Sequence, residues 1–158
     1  MTPAIDCAKR ARIAFTVHEY AHDPAVASYG EEAVQMLGVD PRRVFKTLLV
    51  KLDGRQLGVG IVPVCGQLDL KALAAAAGVR KAVMAEVAEA ERATGYRVGG
   101  ISPLGQKRRL PIFLDTSAEG FETVFVSAGR RGLEIELMPV DLASLCQAKI
   151  HPIARTVA

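Results

Sequence analysis

The sequence predicts an α+β fold: one compact domain, residues 1–158, in which helices flank a mixed, partly antiparallel sheet. Three observations carry this. Strand-like and helix-like segments follow one another without repeating a β-α-β unit, so a doubly wound parallel sheet is not indicated. Asp53-Gly54 sits between two apolar runs, the signature of a tight hairpin and hence of antiparallel pairing. Half of the 158 residues are hydrophobic and 23% are charged, enough to bury one real core.

The elements follow in order. Thr2 before Pro3 reads as an N-cap with proline at the first helical position, opening a helix to about Ala14. Phe15 to Tyr20 reads as a strand. Ser28-Tyr29-Gly30-Glu31 has capping-box spacing and starts a short helix that Gly38 closes. Val44 to Leu52 and Gln56 to Val62 form the hairpin. Asp69 caps an alanine-rich helix ending near Gly78, and a further helix spans Ala85 to Thr94, stopped by Gly95. Ile112 to Asp115 and Glu122 to Ser127 read as strands. Leu133 to Leu137 alternates with period two, which predicts leucine and isoleucine inward and both glutamates outward. Asp141 to Ala148 is the last helix.

Bulk properties exclude several classes. A net charge of +3 permits an anionic partner but does not by itself indicate nucleic acid. Cys7, Cys65 and Cys146 are odd in number and far apart, which indicates neither a disulfide framework nor a zinc site and points to a reducing, cytoplasmic compartment. The N-terminus has no signal-peptide pattern, and no apolar run approaches the roughly 20 residues that span a bilayer. His18 and His22 are four apart but bracket a strand end beside Pro24, so no metal is expected. No P-loop, dinucleotide fingerprint or serine elbow occurs, and no cofactor is expected. Cys65 has no neighbour that would activate it and reads as a small buried residue.

The candidate chemistry lies in four places. Gly99-Gly100-Ile101-Ser102-Pro103-Leu104-Gly105 runs into Lys107-Arg108-Arg109. Glycine admits close approach to the main chain, so this loop reads as a rim of backbone N–H groups backed by positive charge, suited to a carbonyl and phosphates. Lys46 falls inside an apolar strand on the face of Val44, Leu48 and Val50, where an ammonium is costly unless paired or directed to a polar cleft. Thr47 alone reads as an ordinary β-branched strand residue. Ser127-Ala128-Gly129-Arg130-Arg131-Gly132 reads either as a plain hairpin turn or as a second ligand loop. Tyr20 and Tyr29, near loops, suit either core packing or stacking on a base or sugar. Each basic run also fits a solvated turn. Any catalysis here would rest on positioning and backbone electrostatics.

With these residues the chain resembles the YbaK family of aminoacyl-tRNA editing proteins, in particular the freestanding bacterial Cys-tRNA(Pro) deacylases. The resemblance runs over essentially the whole chain: Phe45 to Val50, Gly66 to Lys71, Thr94 through Pro111, and Val126 to Leu137. It implies a barrel-like central sheet, as in the editing domain inserted in bacterial prolyl-tRNA synthetases. It also implies clearance of cysteine from proline tRNA by attack of the substrate's own thiol, with aminoacyl-tRNA and, transiently, prolyl-tRNA synthetase as partners. It carries the essential lysine onto Lys46, its neighbour onto Thr47, pocket aromatics onto Tyr20 and Tyr29, and a pocket serine onto Ser127. The glycine-loop role falls on Gly99, Gly100 and Ile101 with Ser102 and Pro103, and substrate contacts fall on Gly129 and Glu134. The chain departs from the family at Tyr29, where phenylalanine is expected, and at Glu134, where aspartate is common. Lys107, Arg108, Arg109, Arg130 and Arg131 are the candidates for tRNA phosphates. Deacylation of Ala-tRNA(Pro), and a non-catalytic tRNA or synthetase adapter, remain open alternatives. Oligomeric state is not legible.

Overall fold

A computed structural model of the chain describes residues 1–23, 25 and 28–156; the side chain of Tyr29 lies outside this description. Among the described residues, five α-helices, α1 (Pro3–Ala11), α2 (Tyr29–Leu37), α3 (Leu70–Ala77), α4 (Val87–Thr94) and α5 (Pro139–Cys146), are interspersed with ten strands. The strands are β1 (Phe15–Glu19), β2 (Phe45–Leu52), β3 (Gln56–Pro63), β4 (Gly66–Leu68), β5 (Ala82–Met84), β6 (Ile112–Asp115), β7 (Val124–Arg130), β8 (Leu133–Leu137), β9 (Lys149–His151) and β10 (Ala154–Thr156).

The local signals act as expected at most helix ends. Hydroxyls of Thr2 and Ser28 and the carboxylate of Asp69 accept N–H bonds from the first turns of α1, α2 and α3, and Gly38, Gly78 and Gly95 end their helices in the left-handed conformation. α1 stops at Ala11, three residues short of expectation, because Arg12 itself takes the left-handed cap (φ 58°). α4 begins at Val87, not Ala85, since Ala82–Met84 is drawn into an edge strand beside β2.

Three sheets result. The main one has the order β5-β2-β3-β6-β9 and is mixed: β2 pairs antiparallel with β3 and β5, while β3/β6 and β6/β9 are parallel. A second, antiparallel sheet has the order β1-β8-β7, and β10 pairs with β4. A parallel bridge between Val44 and Phe125 ties the first two sheets together. Between them lies the principal core, with Phe45, Leu49, Ile61, Leu114, Val126, Ile135 and Leu137 all buried. Each such side chain contributes roughly 1.5–3 kcal/mol through its burial. A smaller core under α3 holds Leu73, Val50, Phe113 and Ile153.

Three expectations are corrected. The segment from Ser127 is not a loop: β7 continues to Arg130 through a register shift between Ser127 and Arg130, and Arg131-Gly132 makes the turn. Glu134 does not face solvent and is 7% exposed. The reason is that β8 is the central strand of its sheet, and its second face is covered by α2, with Ala33 packed on Val44 and Phe125. Cys65 is exposed, not buried, because it sits at the turn between β3 and β4.

Candidate active site

The site is built on an incomplete strand edge. β5 pairs with Val50–Leu52 of β2 and the Ala85 N–H donates to Leu49 O (3.0 Å), so Phe45–Leu48 present that edge to a cavity instead of to a strand. Residues of both strand faces therefore reach the same space. The cavity has a volume of about 190 Å³. Lys46 and Thr47 of β2, Ser127 of β7, Glu134 of β8, Tyr20 beyond β1 and Gly99 and Ile101 of the glycine loop all line it. At about 30 Å³ of liquid volume per water, this is room for roughly six waters, which suits a small aminoacyl group and its ester.

Lys46 is half-buried, and among the described residues no carboxylate lies within ion-pair range of its Nζ. Desolvation holds its ammonium below the ordinary lysine range, with the nearby Cys65 acting in the opposite direction. The Thr47 hydroxyl is buried with no hydrogen-bond partner among the described residues. Such a group ordinarily costs about 1–3 kcal/mol, so a polar ligand atom would relieve it. Glu134 is pushed up to about 8 by burial, which makes it a neutral carboxylic acid at pH 7. Tyr20 is pushed up to about 12 by burial and by the negative potential of Glu134 and Glu32, and its phenol stays protonated. Ser127 Oγ accepts from the Gly129 N–H (3.2 Å), leaving its own proton available.

The glycine loop is held by close packing. Gly99 has φ +100°, and a Cβ on Gly100 would lie 2.6 Å from Arg130 Cα and 2.9 Å from Arg131 N. The loop thus rests directly on the β7–β8 turn. The Gly100 N–H donates to Arg97 O (2.9 Å), and Gly100 does not line the cavity, so Gly99 and Ile101 are the loop positions that face the ligand space.

The remaining candidates lie elsewhere. Ser102 is fully buried and its Oγ accepts from the Leu104 N–H (3.2 Å), which shapes the loop. Pro103 lines a separate groove together with Lys107, Arg108 and Arg109, which shares no lining residue with the cavity. Gly129 packs against Thr2 and Tyr96. Exposed Arg130 pairs with Glu19. Arg131 lines the cavity with its Nε 3.2 Å from Glu32 Oε1. Tyr29 opens α2, and its side chain falls outside the described residues. His18 and His22 go to different carboxylates, Glu136 and Glu32, at 2.9 Å each.

Glu32 is the residue that sequence reasoning missed. It is 2% exposed, and it gathers His22 Nδ1, the Asp23 N–H (2.9 Å) and Arg131. Burial pulls its carboxyl upward, but these hydrogen bonds outweigh that and hold it below the usual range. The carboxylate thereby fastens the segment after Tyr20 to the β7–β8 turn. Nothing in Glu31-Glu32, an acidic first helical turn, distinguishes the anchoring glutamate from its exposed neighbour.

Comparisons with known proteins place the chain in a family. A family model described as an aminoacyl-tRNA editing domain matches residues 23–145. EbsC of Enterococcus faecalis, whose name carries a proposed Cys-tRNA(Pro)/Cys-tRNA(Cys) deacylase activity, is 34% identical over 152 residues, covering 96% of this chain and 92% of its own length. The uncharacterized protein YwhH of Bacillus subtilis is 31% identical over 120 residues, 76% of each chain. A crystal structure described as a proposed trans-editing enzyme for prolyl-tRNA synthetase superposes with a TM-score of 0.83 at 22% identity, over 98% of this chain and 99% of that one; it shares the α+β fold. The chain therefore belongs to the aminoacyl-tRNA editing domain family, of the YbaK type.

Proposed function

We propose that the cavity receives the aminoacyl ester at the 3′ end of a mischarged tRNA and cleaves it, with cysteine on proline tRNA as the substrate. The observation that carries this is Lys46, a desolvated cation at the open edge of β2 with no carboxylate partner among the described residues. Such a group is costly unless a ligand supplies negative charge. Lys46 holds the ribose–phosphate side of the substrate and stabilises the oxyanion that develops on the ester. The exposed edge of β2 and the N–H groups of Gly99 and Ile101 polarise the carbonyl. Glu134 meets the α-ammonium of the aminoacyl group as a carboxylate, its proton passing to solvent as the cation enters.

In the step itself the cysteine thiol attacks its own ester carbonyl. The C–S bond forms, the bond from the carbonyl carbon to the ribose oxygen breaks, and the thiol proton ends on that oxygen. Cysteine leaves as a cyclic thiolactone. Thiol and carbonyl belong to one aminoacyl group, so the pocket contributes by holding that group in the attack geometry. A pocket of this kind separates alanine from cysteine by only about 1–3 kcal/mol through size, so selectivity rests on the thiol. The protein would work in the cytoplasm with prolyl-tRNA synthetase as a transient partner.

Release of cysteine, alanine and serine from proline tRNA, with and without prolyl-tRNA synthetase, tests the proposal. Preferential cysteine release is expected. Efficient alanine release with cysteine untouched would replace the substrate, and tRNA binding with no release at all would make the protein an adapter.

A further inference from the structure

A second basic surface, which the sequence did not single out, adjoins the cavity. It is a groove of about 610 Å³ lined by Lys51, Arg55, Arg80 and Lys81, with Asp53 as its one carboxylate. Asp53 Oδ1 is committed to the main chain, accepting from the N–H groups of Arg80 (3.1 Å) and Lys81 (2.9 Å), and its own N–H donates to Lys81 O (2.8 Å). These bonds clip the β2–β3 turn to the α3–β5 connection and set three cations side by side. Lys51 pairs with Glu89, but Arg55, Arg80 and Lys81 have no carboxylate partner among the described residues. Elsewhere, Arg42, Arg43, Arg130 and Arg131 are each paired.

The groove and the cavity share no lining residue and meet along β5. Val83 of β5 lines the groove and the next residue, Met84, lines the cavity. Met84, Val87 and Val98 form an apolar rim at the cavity, each between 46% and 58% exposed. Lys46 and Lys51 lie on the same strand, about 17 Å apart at roughly 3.3 Å per residue. The Lys107–Arg109 run is placed differently. Its backbone bonds to Ala93 and Thr94 at the last turn of α4, whereas Val87 and Ala90 of the same helix line the cavity and Glu89 pairs with Lys51 of the groove.

We infer that the 3′ strand of the RNA leaves the cavity across the Met84–Val87 rim and lays its backbone phosphates in the groove of Arg55, Arg80 and Lys81. This rests on the reading of the cavity as an aminoacyl-ester site. The rim offers aliphatic surface to base faces, and the groove supplies the charge that a polyanion requires.

The test compares two substrates: full-length Cys-tRNA(Pro) and cysteinyl-adenosine, which cannot reach the groove. For Arg55→Glu with Arg80→Glu and Lys81→Glu, kcat/KM on the tRNA should fall by about tenfold or more, and the log–log salt dependence should flatten by about 0.7–0.9 for each phosphate no longer neutralised. Cysteinyl-adenosine should be cleaved as by the wild type. The glutamine versions of the three substitutions give the same pattern in weaker form if charge reversal harms folding. Charge reversal at Arg108 and Arg109 should cost less than reversal in the groove. An unchanged salt slope, equal loss on both substrates, or a larger loss from Arg108 and Arg109 would overturn the inference. So would a loss seen only when prolyl-tRNA synthetase is present, which would give the groove a protein partner. If the wild type cleaves neither substrate, the ester-site reading fails by itself, and the salt dependence of uncharged tRNA binding still decides the groove.

Discussion

Glu134→Gln is the perturbation whose size follows most directly from the structure. Glu134 is buried in the cavity wall, and burial lifts its carboxyl from 4.5 to about 8. A raised folded-state value means that the native protein keeps a proton which the unfolded chain releases. The stability this group contributes is complete below about pH 4.5 and is lost as pH rises toward 8, with nothing further lost above that. At about 1.4 kcal/mol per pH unit the whole loss is about 5 kcal/mol, and the part falling between pH 6 and pH 9 is about 3 kcal/mol. Glutamine keeps the shape and never ionises. The advantage of the variant over the wild type should therefore grow by about 3 kcal/mol across that range, or roughly 6–12 °C in Tm for a chain of this size. Thermal or urea melts of both proteins at several pH values measure it. A difference that stays constant with pH would refute the reasoning, because it would mean that the carboxyl ionises in the native cavity as readily as in water.

Three other outcomes follow from the same geometry. Thr47→Val removes a buried hydroxyl without a partner among the described residues, so melts should show stability unchanged or raised by up to about 1 kcal/mol, while kcat for deacylation falls. Gly100→Ala drives a methyl group into the backbone at Arg130; denaturant titration should show a loss of about 1–3 kcal/mol, and kcat should fall because the glycine loop moves off the β7–β8 turn. Cys-tRNA(Pro) acetylated on the α-amino group no longer carries the cation assigned to Glu134, and its kcat/KM should drop by about tenfold or more; hydrolysis at the unblocked rate would remove Glu134 from that role.

Much of this architecture was legible because the signals were local and strong. Thr2-Pro3, Ser28, Asp69 and the closing glycines set helix ends through single hydrogen bonds and left-handed caps, and Asp53-Gly54 set the hairpin. β4, β5, β9 and β10 were not read, since three-residue strands show no periodicity and exist only through their partners. Lys46 stood out because a cation within an apolar strand is anomalous in sequence as well as in space. Glu134 was read outward because period two assigns faces but not cover: α2 arrives from a distant part of the chain and buries the second face. The same holds for Glu32, whose three partners lie before it in sequence and in the β7–β8 turn. The open edge of β2 had no sequence signal, because it depends on how far β5 extends along its neighbour.

The most direct test of the cavity as the place of ester cleavage is single-turnover release of cysteine from Cys-tRNA(Pro) by the wild type and by Lys46→Ala, with tRNA affinity measured on the same samples. Removing a single group that stabilises the oxyanion should slow release by about 100-fold to 1,000-fold, with folding intact and tRNA affinity changed far less. Cysteine release by Lys46→Ala at the wild-type rate would contradict the account.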